Sequence, residues 1–173
     1  MGFSTWSYGP DLADIDDTHS FLDQYGAIQS IQMDDKIPWN AWINGTALPS
    51  DYIADVDGRV FRLPNDGTPI ILSISPLNTG RDNIIEDWEN GAAPSYSFGD
   101  TILQNAFIEH IKYLVDAFNP TYLIFGMETN DLLVHAEDKW DDFRSLMTKT
   151  KTELQLTYPT LKMTESMTLH NWY

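Results

Sequence analysis

The sequence contains no cysteine. That excludes disulfides, thiolate nucleophiles and Cys-ligated zinc together. Basic residues are scarce as well: 10 Lys and Arg face 26 Asp and Glu, giving a formal net charge of −16. A field of that sign repels phosphate backbones and anionic lipid surfaces, so neither nucleic acid nor a membrane is an expected partner. Such charge serves solubility, including in a salty medium, or a cation-binding acidic site. No apolar run approaches the length of a membrane span. No leader segment is evident, since Met1 leads almost directly into Phe3-Ser4-Thr5-Trp6, and the compartment stays open. No glycine-rich loop follows a strand, which argues against a nucleotide-binding fold. No pair of histidines has metal-ligand spacing: His19 and His110 fall on predicted helices, and His135 and His170 read as surface or loop residues. No metal and no cofactor is expected.

What remains is a globular chain of 173 residues, 42% hydrophobic and 21% charged, enough for one domain with a sizeable core. Phe3 to Trp6 reads as a strand entering the Tyr8-Gly9-Pro10 loop. Asp14 or Asp16 caps a helix carrying Ile15, His19, Phe21, Leu22 and Tyr25, stopped at Gly26. Ala27 to Met33 is a second strand, ending in Asp34-Asp35. Residues 36–68 are harder to read, with a short helix capped by Ser50. Pro69 to Ile74 is a strong strand followed by a long polar connection. Asp100 caps the clearest helix, on which Leu103, Phe107, Ile111, Leu114, Val115 and Phe118 recur at helical spacing until Asn119-Pro120. Tyr122 to Met127 is a nearly all-apolar strand of the buried parallel type. A helix from Glu137 or Asp138 runs to Pro159, and Leu161 to Met167 is a last strand, which contains Glu165.

Strands thus alternate with helices, the pattern of a parallel sheet. The expected fold is α/β: a partial (β/α) TIM-type barrel of about five parallel strands, forming one truncated barrel domain over residues 1–173. A complete barrel takes about 250 residues. In such folds chemistry collects at the C-terminal strand ends. There this chain places Trp6, then Asp34 and Asp35 with Trp39, Asn40 and Trp42, then Asn78, then Glu128 and Asn130, then Trp172. Indole faces mixed with carboxylates and amides suit sugars, although a tryptophan taken singly is as readily a core residue. Glu128 directly follows an apolar strand. Burial at such a mouth raises a carboxyl pKa and suits it to donate a proton, as glycoside hydrolysis requires.

The stretch Phe125-Gly126-Met127-Glu128-Thr129-Asn130-Asp131-Leu132-Leu133 resembles the strand-four motif of clan-A (β/α)8 glycoside hydrolases. It is closest to the endo-β-1,4-galactanase-like group, whose pattern runs roughly Gly-Asn-Glu-hydrophobic-Asn. Phe3 to Trp6, Ser30 to Asp35 with Pro38-Trp39-Asn40, and Leu72 to Asn78 resemble the family's first three strands and their loops. The likeness covers about the first five βα units. It implies a hydrolase of β-linked poly- or oligosaccharide, with Glu128 as general acid/base. Asn130 matches the motif's second Asn, and with the strand-end residues Trp6, Asp34, Asp35, Trp39, Asn40, Asn78 and Trp172 it makes up the expected substrate site, in a family often secreted. Met127 stands where the family usually has Asn, and the family's strand-seven nucleophile has no counterpart. The alternative expectation is a carbohydrate-binding or remnant half-barrel without activity. Exposed edge strands imply a homo-oligomer under either reading.

Overall fold

The computed structural model of the chain describes residues 2–5 and 7–169. Five strands form one parallel sheet in chain order: β1 (Gly2–Ser4), β2 (Ile28–Met33), β3 (Ile70–Ile74), β4 (Tyr122–Ile124) and β5 (Lys162–Thr164). The intervening helices are α1 (Leu12–Tyr25), α2 (Trp39–Asn44), α3 (Ser50–Phe61), α4 (Thr101–Phe118), α5 (Thr129–His135) and α6 (Trp140–Thr157). This is an α/β fold of the partial TIM-barrel type, with β1 and β5 as its edges.

Side-chain alternation divides the sheet into two unlike faces. Ile31 and Met33 of β2, Ile70, Leu72 and Ile74 of β3, and Leu123 of β4 turn to the helices and join one core with Phe107, Ile111 and Leu114 of α4 and Phe143 and Leu146 of α6. On the other face the register sets Ser4 beside Ser30, and aligns Gln32 with Ser73, Ile124 and Thr164 across four strands. That face mixes these polar side chains with Ile71, Tyr122 and Ile124, and in a closed barrel it would line the interior.

The helix read most firmly from periodicity forms over Thr101–Phe118, and Asn119 closes it in the left-handed conformation at φ 45° ahead of Pro120. Asp100 holds the N-cap position, but its carboxylate accepts the Ser97 N–H at 2.6 Å instead of a helical one. Two helices lacked a sequence signal, the short α2 and α5. α2 ends at Gly45, at φ 63°. The strands are shorter than their apolar runs. β4 stops at Ile124 because Gly126, Met127 and Glu128 already turn into α5, and Glu165 lies just past β5 instead of within it. The backbone groups released there still pair, Phe125 N–H with Thr164 O and Ser166 N–H with Gly126 O. Among the described residues no helix is long and apolar enough to cross a membrane.

Candidate functional site at the strand ends

Glu128 stands at the C-terminal end of β4 and leads into α5 with φ 52°. Arg81, in the connection after β3, has φ 53°. Left-handed backbone at a non-glycine residue costs free energy and persists only where its surroundings enforce it. Here the two residues hold each other. Nε and Nη2 of Arg81 lie 3.1 and 3.0 Å from Oε2 of Glu128. The guanidinium also donates through Nη1 to the carbonyl oxygens of Asn78 at 3.0 Å and Leu77 at 3.4 Å. Its side chain is 11% exposed against 44% for Glu128. Glu128 is therefore fixed by a cation, not enclosed by the apolar walls that its strand suggested. Its backbone N–H donates to Ser166 Oγ at 3.1 Å. Oε2 of Glu128 is thus the anchored oxygen, and among the described residues Oε1 has no hydrogen-bond partner.

The connection that carries Arg81 is itself tied down. Asn78 Oδ1 accepts the N–H groups of Asp82 and Asn83, and its Nδ2 donates to Asp82 Oδ1 at 2.8 Å. Lys139, just before α6, donates to Asp82 O at 2.7 Å. Asn78 thus builds the turn that presents Arg81. Its amide is occupied there, whereas the sequence pointed to substrate contact.

Asp34 is the first residue beyond β2. Burial pushes its carboxyl above the ordinary Asp range and the neighbouring Asp35 adds to this, while the Arg81 and Arg59 charges oppose it. Asp35 turns the other way. Its side chain is 71% exposed and meets Arg59 of α3 at 3.4 Å.

The remaining residues expected at the site are placed in the scaffold. Trp39 is fully buried: its ring lies 6.2 Å from that of Phe107, and its Nε1 donates to Ile85 O at 2.8 Å. No sugar can stack on an indole closed to solvent, and the apolar side of α2 is the reason it is closed. Asn40 donates through Nδ2 to the buried carboxylate of Asp87, which also accepts the Asn40 N–H at 2.9 Å. Trp42 packs against His110 and Tyr113 of α4. Asn130 bonds both backbone groups of Thr168, donating to its carbonyl at 3.0 Å and accepting its N–H at 2.9 Å. It ties α5 to the segment after β5. Trp6 and Trp172 lie outside the described residues, as does His170.

Arg81, a residue that sequence reasoning passed over, thus holds Glu128 directly and acts on Asp34 through its charge. A signal for it existed. Arg81 is the single Lys or Arg between Arg62 and Lys112, and it lies in a strand-end connection. A cavity of about 260 Å³ lies beside β2, lined by Thr5, His19, Ile31, Asp55, Arg59 and Arg62. Among the described residues no group of three or more Asp, Glu or His could hold a metal ion.

No protein-family model and no curated protein sequence matches the chain. Among solved structures it is similar to the α-galactosidase from Lactobacillus brevis, with a TM-score of 0.57 and 9% sequence identity over 96% of this chain. The match takes in 26% of that enzyme, so the chain spans about a quarter of its length. At this identity the likeness is one of fold: a distant resemblance to a glycoside hydrolase of TIM-barrel type.

Proposed function

We propose that the chain carries a glycoside-hydrolase-type site for a β-linked polysaccharide or oligosaccharide, with Glu128 as its general acid/base. The observation that supports this most is the grip of Arg81 on Oε2 of Glu128 at the end of β4, with no partner for Oε1 among the described residues. A general acid or base has to be held within hydrogen-bond reach of the oxygen it serves. Here a guanidinium from the neighbouring strand end fixes the carboxylate through one oxygen. In hydrolysis Glu128 would protonate the leaving glycosidic oxygen, and a second carboxylate would attack the anomeric carbon or activate a water. Those two groups stand about 5 Å apart in retaining enzymes and about 6.5–9.5 Å apart in inverting ones.

The test is reducing-sugar release from a panel of β-linked polysaccharides, galactan included, with the wild-type protein beside Glu128→Gln. Release should fall by about 100-fold or more in the variant. Release that survives the substitution unchanged removes Glu128 from the chemistry.

A second reading is a carbohydrate-binding or remnant half-barrel that does not cleave and self-associates. Its support is the order of the sheet, which leaves β1 and β5 as edge strands among the described residues. Oligosaccharide binding without release, together with a dimer or larger species in sedimentation, would favour it.

A further inference from the structure

A glycosidase-type site needs a partner for Glu128, and Asp34, Asp35 and Glu165 are the acidic residues that lie within two positions of a strand's C-terminal end. Their surroundings separate them. Glu165 is half-buried on the helix side of the sheet, in a hollow lined by Thr129, Phe143, Met147 and Lys151. It belongs to the packing between α6 and the sheet. Asp35 points to α3 and is held by Arg59, whose Nη1 also donates to the Gln32 carbonyl at 3.0 Å.

Of the three, Asp34 continues the face turned away from the helices. In β2 the residues Ile31 and Met33 are buried under helices and Ser30 and Gln32 alternate with them, so Asp34 follows Gln32 on the barrel-interior side. The register carries this further. Met33 pairs with Ile74, and Ser73 pairs with Ile124. Continued past the ends of the ladders, the register brings Asp34 beside Ser75 after one step and Ser75 beside Gly126 after two, where the chain already turns toward α5. Two strand spacings, about 10 Å, then separate the backbone at Asp34 from that at the end of β4. Arg81 enters from the connection after β3, the strand between them, and its charge acts on Asp34 while its donors hold Glu128.

We propose that Asp34 is the second carboxylate of this site, and that Arg81 is the positioning residue that joins it electrostatically to Glu128. The chemical purpose of the pair rests on the glycosidase reading; the electrostatic unit does not. The charged groups acting on Asp34 are Asp35 on its own strand end, Arg59 on α3 and Arg81 after β3, and Arg81 is also the partner of Glu128. Burial and Asp35 favour the protonated form of Asp34, and the two arginines favour the ionised form.

The unit is tested by following the Asp34 side-chain carboxyl carbon by NMR through a pH titration. The wild type is compared with Arg81→Met, Arg81→Lys and Glu128→Gln, each first shown to be folded by circular dichroism. The wild-type midpoint should lie above that of an ordinary aspartate. It should move up in Arg81→Met, return toward the wild type in Arg81→Lys, and move down in Glu128→Gln, where the guanidinium is freed from its partner. A midpoint unmoved by both Arg81→Met and Glu128→Gln overturns the proposal, because a merely structural arginine predicts that outcome. The activity arm separates the two claims. Asp34→Asn should reduce sugar release by about 100-fold or more. Full release in Asp34→Asn refutes the second-carboxylate role and leaves the glycosidase reading intact. An intact coupled titration with no release from the wild type refutes the glycosidase reading, and with it a catalytic role for Asp34, while the electrostatic unit stands.

Discussion

Replacing His110 by phenylalanine will flatten the acid side of the stability profile. His110 is buried on α4 among Trp42, Tyr52 and Tyr113, with Nδ1 3.4 Å from the Tyr52 hydroxyl oxygen. Burial alone pushes its imidazole down from 6.5 to about 3. The unfolded chain therefore takes up a proton at this residue below about pH 6.5, while the folded chain stays neutral until about pH 3. Between those limits the unfolded state binds more protons, so stability falls as pH falls. The slope approaches about 1.4 kcal/mol per pH unit, which amounts to about 2 kcal/mol between pH 6.5 and pH 5.

His110→Phe keeps a ring in the space and removes the titration. It also leaves the Tyr52 hydroxyl without this partner, a loss of about 1 kcal/mol that does not depend on pH. Urea unfolding followed by tryptophan fluorescence, at intervals from pH 7.5 to pH 5, gives both profiles. The many carboxylates titrate in both proteins and cancel in the difference. The variant should begin below the wild type and gain on it by about 2 kcal/mol at the acid end. A difference that stays constant across this range would refute the reasoning and mean that the folded protein protonates His110 readily.

Two further substitutions test residues placed in the scaffold. Trp39→Ala should cost about 3–5 kcal/mol of stability, because it empties a fully buried site and strands the Ile85 carbonyl; thermal or urea unfolding checks this. Asn130→Ala removes both bonds to the Thr168 backbone and should cost about 1–3 kcal/mol. Hydrogen exchange should then rise first in the segment after β5, and a variant as protected there as the wild type would contradict the tie.

Much of the fold was legible because it follows from local chemistry. The 3.6-residue spacing on Thr101–Phe118 and the apolar runs at Ile70–Ile74 and Tyr122–Ile124 express which faces are buried, and burial is what forms those elements. Strand alternation in β2 even contained the difference between Asp34 and Asp35, since neighbouring residues on an extended chain face opposite sides. α2 and α5 were not legible, as each is too short for a periodicity to emerge.

The sequence by itself determined the α/β order, the strand ends where polar side chains collect, and the placing of Glu128 after an apolar strand. Only the tertiary structure decided what each of those side chains does. Trp39 and Trp42 became core because α2 folds down onto α4, and Asn40, Asn78 and Asn130 spend their amides on Asp87, on a turn and on the Thr168 backbone. Arg81 reaches Glu128 across 47 positions of sequence. No local pattern encodes that contact, because it depends on β3 and β4 lying side by side and on a connection rigid enough to aim a guanidinium from one strand end at the next.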